Sequence, residues 1–242
     1  MKSTERHHLK DNELAQFTAA ASNLVQDQGK PILGVVAAVV VVLAVVGGYF
    51  WWTGRTESLA HTQLAAALAV EEARVGPPAA FGSAPTGMSF VSQREKSQAA
   101  LTKYKEVADA YPASDAGVYA RYRQAATYMQ LGAPKNAAET YQQVIAQGGT
   151  GLYAQMARLG LAEAQAQTGD YEAAITTFRD LAQRKDGELP VDGILMRLGR
   201  TQAEAGKAAE AEQTFNKLVL EYPESAFAAD ARKELGQTKK AS

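Results

Sequence analysis

Apolar positions along this chain fall into three regimes. Residues 32–52, ILGVVAAVVVVLAVVGGYFWW, are apolar on every face and carry no charged, amide or aliphatic hydroxyl side chain. A helix of that length spans about 30 Å, the thickness of a bilayer's hydrocarbon core, and satisfies all its own backbone hydrogen bonds there. Tyr49, Phe50, Trp51 and Trp52 close the run where an interfacial aromatic belt belongs. The run is too long, too far from the start and too aromatic at its end for a cleaved signal peptide. A soluble core helix keeps a polar face, so a single membrane span is expected.

Before it, residues 1–31 form a polar tail in which Leu14, Phe17, Ala21 and Leu24 make one narrow apolar stripe on a helix. That stripe suits a surface-lying helix, with a partner-binding helix as the alternative. The adjacent His7 and His8 do not share a helix face and read as solvated. Pro31 suits the first turn of the span. Lys30 against Arg55 is close to a balance of flanking cations, and Lys2, Arg6 and Lys10 tip the expectation toward an N-terminus inside and the C-terminal part outside. Gly34/Ala38 and Ala44/Gly48 have the spacing of close helix contacts, though ordinary use of small residues in spans accounts for them.

After it, residues 53–75 continue at helical period through Leu59, Leu64 and Leu68, and residues 76–91, with three prolines, read as a linker. Residues 92–240 then repeat with a period of 37. Ala100, Ala137, Ala174 and Ala211 are each followed four residues on by Tyr104, Tyr141, Phe178 and Phe215, and three further by Val107, Val144, Leu181 and Leu218. Steps of four and three hold each triplet on one helix face. Turn glycines Gly132, Gly169 and Gly206 precede the last three, and small residues Ala125, Ala162 and Gly199 lie seven positions earlier. Helical hairpins are expected near 116–147, 152–185 and 190–222, with Ala162 facing Ala174. The helix of 92–111 is left to pair with that of 55–75. Residues 225–240 read as an end cap through Phe227, Ala231 and Leu235, and residues 241–242 as a short tail.

This pattern resembles the tetratricopeptide repeat: helix, glycine turn, second helix with A-x3-F/Y. The period is 37 rather than about 34, and arginine (Arg121, Arg158) stands where a bulky apolar residue belongs early in the first helix. The fold class expected is all-α: a single transmembrane helix followed by a tetratricopeptide-like solenoid of helical hairpins. In such a fold the first helices line a concave groove. Helical spacing puts Tyr119, Tyr122, Met129, Met156, Glu163, Met196 and Arg200 on that face, with inter-repeat core as the alternative for each. Tyr and Met suit an extended peptide or a partner helix.

Composition removes several classes. With no cysteine there is no disulfide or thiolate metal site, and three histidines make a zinc or nucleophile constellation improbable. No phosphate loop occurs, and GTGLYA (149–154) follows a helix rather than a strand. A net charge of −1 offers no general attraction to nucleic acid. No cofactor is expected, and an enzyme is the reading ranked last.

The layout as a whole resembles the ancillary SecYEG translocon subunit family of tetratricopeptide repeat-like inner-membrane proteins. That resemblance implies a single-pass protein of the bacterial inner membrane with periplasmic repeats, working beside the Sec translocon and periplasmic chaperones. A self-assembling structural protein of the envelope, a homo-oligomer, is the alternative.

Overall fold

The computed structural model describes the backbone of residues 4–76, 87–184 and 187–241, and the side chains of residues 34–76, 87–184 and 187–237. The chain divides into two units, Met1–Arg55 and Thr56–Ser242. The expected stripe of Leu14, Phe17, Ala21 and Leu24 falls outside the described side chains, and most of the proline-rich linker lies outside the described residues.

Helix α1 runs without interruption over Thr4–Glu72. The tail helix, span and following helix expected as separate pieces are thus one element. Pro31 lies inside it rather than at a first turn; a helix passes a proline by giving up one backbone hydrogen bond. Within α1, Gly34–Glu72 contains the one helix stretch among the described residues that is long and apolar enough to cross a membrane. Its mean hydropathy there is 2.3 and none of that window is buried by the protein. Val35 through Trp52 expose large apolar side chains that nothing in the described residues covers. The Arg55 guanidinium sits over the Trp51 ring at 5.7 Å.

In the second unit, two short strands, β1 (Arg74–Val75) and β2 (Ser89–Phe90), pair in parallel. Eight helices follow among the described residues: α2 (Gln93–Ala110), α3 (Asp115–Gln130), α4 (Pro134–Gly148), α5 (Leu152–Gln167), α6 (Tyr171–Gln183), α7 (Val191–Glu204), α8 (Ala208–Glu221) and α9 (Ala228–Ala241). Ser92 caps α2 by accepting from Glu95 N, and Glu95 reaches back to Val91 N, which places the start of that helix. Gly132, Gly169 and Gly206 turn α3 into α4, α5 into α6 and α7 into α8 with φ of 74°, 84° and 76°, a left-handed conformation that a side chain would strain.

Four small cores replace a single large one. The first joins Ala60, Leu64, Ala67 and Val70 of α1 to Ala100, Tyr104 and Val107 of α2, so residues 56–72 supply the partner that α2 lacks locally. The repeated triplets all sit inside, from Ala100 at 3 % exposure to Leu181 at 4 %. Ala162 and Ala174, both fully buried, share one core with Phe178 and Ile194. Replacing Ala174 with leucine inserts three carbons where no space exists. The expected cost is about 1–3 kcal/mol, read as a lower melting temperature of the full-length protein.

The two irregular arginines have a local explanation. Arg121 is 9 % exposed. Its guanidinium donates to the Ala108 carbonyl (2.9 Å), Asp109 (3.1 Å) and Gln143 (2.8 Å), tying the end of α2 to α3 and α4. Lys105 and Arg121 together hold the Asp109 carboxyl below the usual carboxylate range. Arg158, one period on, donates to the Gly149 carbonyl at 3.3 Å. A long cation replaces an apolar residue where it can close the preceding helix end.

Candidate protein-binding surface

α3 touches α5 and α5 touches α7, whereas the second helices of successive hairpins stay farther apart. The array therefore curves with α3, α5 and α7 inside, and their shared surface is the candidate site.

Its most distinctive part is aromatic. Tyr119 and Tyr122 of α3 lie with ring centroids 6.5 Å apart. Tyr153 of α5 completes the group at 5.2 Å from Tyr119 and 6.4 Å from Tyr122. Tyr141 backs it from α4, 6.0 Å from Tyr122. Tyr119, Tyr122 and Tyr153 are half-buried, so each presents part of a ring to solvent. Burial pushes the phenols of Tyr122 and Tyr141 above the ordinary tyrosine value, so both are neutral hydrogen-bonding groups at physiological pH. Met156 is half-buried one helical turn from Tyr153, and Met129 is partly buried against the core shared by α3, α4 and α5.

The charged part of the surface is internally paired. Glu163 of α5 accepts from Arg197 of α7. Arg200 of α7 donates to Glu234 of α9 at 3.1 Å and lies 3.8 Å from Asp230. At the other end, Glu71 of α1 accepts from both the Tyr104 hydroxyl and Arg123 of α3. The Arg123 guanidinium is held between two rings, 5.6 Å from Tyr104 and 5.9 Å from Tyr119, and donates to the Tyr119 hydroxyl at 3.1 Å. Burial, and next the Glu71 hydrogen bond, raise the Tyr104 phenol well above its usual value.

Of the seven residues expected on this face, Tyr119 and Tyr122 come together as one patch, Met156 lies one turn along α5 from Tyr153, and Glu163 and Arg200 are members of inter-helix ion pairs. Met196 is a correction. It is 2 % exposed in the core formed by α7, α8 and α9, because the end cap covers that side of α7. Tyr153 and Arg123 complete the surface and were not among the expected residues. Tyr153 sits off the 37-residue row, and Arg123 depends on a carboxylate 52 positions away.

Residues 25–188 match the tetratricopeptide repeat-like domain family, and residues 194–225 match the tetratricopeptide repeat. The chain belongs to the tetratricopeptide repeat-like domain family. No curated protein matches it. Among solved structures it is similar to the nearly identical TPR-like repeats of a Podosopora anserina protein of kinesin light chain type. Identity is 16 %, with 76 % of this chain and 87 % of that one covered and a TM-score of 0.56. A point variant of the same repeats gives the same identity and coverage, with a TM-score of 0.57. MamA is 19 % identical over 61 % of this chain and 80 % of its own, with a TM-score of 0.49. At these identities the likeness concerns the fold. Tetratricopeptide repeats serve as protein-interaction scaffolds, and no catalytic family matches among these findings.

Proposed function

We propose that this protein is a membrane-anchored tetratricopeptide scaffold of the bacterial inner membrane, with its N-terminus in the cytoplasm and its repeats in the periplasm. There it binds protein segments beside the SecYEG translocon and the periplasmic chaperones that receive exported chains. The observation that carries the binding role is the half-buried patch of Tyr119, Tyr122 and Tyr153 with Met156 on adjoining inner helices. Rigid aromatic rings with polar tips and a flexible thioether give contact area at small entropic cost and adapt to varied sequences. The uncovered apolar run of α1 supports the anchor. Anchoring raises the local concentration of the surface near membrane partners without adding any contact.

Alkaline phosphatase fused after Ser242 tests the orientation: an active fusion is expected, and an inactive fusion at normal expression puts the repeats in the cytoplasm. Cross-linking in intact membranes tests the partners. Adducts rich in translocon subunits are expected, whereas adducts to a second copy alone would favour an envelope structural protein.

A further inference from the structure

A cleft between α2 and α3 is lined by none of the tyrosines of the candidate surface. It occupies about 410 Å³ and is lined by Gln93, Arg94 and Ser97 at the start of α2 and by Gln130 and Leu131 at the end of α3. A smaller recess shares Gln93, Ser97 and Gln130 and reaches inward to Lys96 and Glu71.

Ser97 is the unusual member. It is 5 % exposed; its hydroxyl makes no hydrogen bond with any described residue, and the oxygen itself reaches solvent in the cleft. A hydroxyl inside a helix normally donates to the carbonyl four residues back. Thr102, Thr127, Thr140, Thr176, Thr177 and Thr201 all do so in this protein. Ser97 instead lines both parts of the cleft with its donor unused.

The charges around it do not balance. Glu71 is paired with Arg123 and accepts from the Tyr104 hydroxyl, and Glu95 accepts from Val91 N but keeps its charge, so Arg94 and Lys96 face one unpaired carboxylate. Lys96 donates to the Ala73 carbonyl at 3.3 Å and has no carboxylate partner among the described residues. Arg94, exposed beside the cleft, has no ion pair or hydrogen bond among them. The cleft faces both the N-terminus of α2, already capped by Ser92, and the C-terminal end of α3, whose dipole has the opposite sign, so the side-chain cations set its charge.

We infer that this cleft is a binding site for a small oxyanion, a carboxylate or a phosphate, held by the Arg94 guanidinium and the Ser97 hydroxyl at the start of α2 with Lys96 adding positive charge. A planar guanidinium fork matches either group, and the Ser97 hydroxyl supplies a neutral donor that orients it.

The test uses the full-length, isotope-labelled protein in detergent micelles, titrated with sodium phosphate, with sodium acetate, and with a short peptide bearing either a free or an amidated C-terminus. Sodium chloride at matched ionic strength is the control. Amide shifts that saturate at residues 93–97 and 130–131 are expected. Arg94→Ala should weaken binding roughly tenfold and Ser97→Ala severalfold, as loss of a charged and a neutral hydrogen bond. Alanine keeps the helix at both positions, and the unchanged spectrum of the remaining repeats reports that the fold is intact. Preference for the free-ended peptide over its amide identifies a chain terminus as the source, and saturation by phosphate alone identifies the inorganic anion. Shifts that only follow ionic strength, or that both variants retain in full, overturn the site.

Discussion

Gly117→Ala is expected to lower stability by about 3 kcal/mol, the upper end of what one inserted methyl costs. The reason is backbone rather than side-chain crowding. Gly117 lies in the first turn of α3, and a Cβ there would overlap the Tyr111 carbonyl oxygen and fall 2.7 Å from its carbon. Neither strand of the turn can withdraw. The Tyr111 carbonyl accepts from Ser114 N at 3.1 Å, and Gly117 N donates to Ser114 Oγ at 2.9 Å. Gly236→Ala on α9 is the matched control, since nothing lies within 4 Å of its Cβ position. It should be neutral or slightly stabilising through the entropy of the unfolded chain. Thermal melts of the two variants should differ by on the order of 10 °C; equal melting temperatures would remove the close packing assigned to the α2–α3 turn.

The second large effect is expected where α1 joins the array. Glu71 and Arg123 are both mostly withdrawn from solvent, with side chains 27 % and 25 % exposed. Removing either leaves the other partly buried without its counter-charge, so Glu71→Ala or Arg123→Ala should each cost about 2 kcal/mol. The double variant should cost less than the sum of the two, with a coupling energy of about 1 kcal/mol in a double-mutant cycle. The pairing also bears on the binding surface, because Arg123 holds the Tyr119 hydroxyl. Strict additivity would mean that the C-terminal end of α1 does not brace the first inner helix.

Much of this architecture is legible in the residue pattern. A period of 37 with Ala, an aromatic and an aliphatic at fixed steps locates each second helix, and the glycines before them locate each turn. Other features depend on relationships between helices that one period does not express. Inner-face neighbours are offset by 34 rather than 37 positions. Glu163 meets Arg197 and Arg200 meets Glu234 at that separation, and Tyr119 meets Tyr153 at the same one. The shift of three residues is nearly one helical turn. It explains why placing side chains along the repeat row finds Tyr119 and Met156 but passes over Tyr153.

The tight turn is hidden for a related reason. Gly117 and Tyr111 are one period before Ala154 and Gly148. In the second pair the small residue has changed sides, and Ala154 Cβ lies 3.3 Å from the Cβ position of Gly148. The contact recurs while the residue types exchange, so neither column of the repeat looks special. Met196 fails for a third reason. The inner face ends where α9 folds over α7, and helical spacing within α7 carries no sign of what covers it.

The central claim is that the tyrosine face of α3 and α5 is where this protein meets other proteins. A photo-reactive phenylalanine analogue placed at Tyr153, in cells and in the full-length chain, tests it directly against the same probe at Glu139 on the outward side of α4. The account predicts adducts to other envelope proteins from position 153, lost when Tyr122 is changed to alanine, and few or none from position 139. Equal adducts from both positions, or adducts from 139 alone, would contradict it.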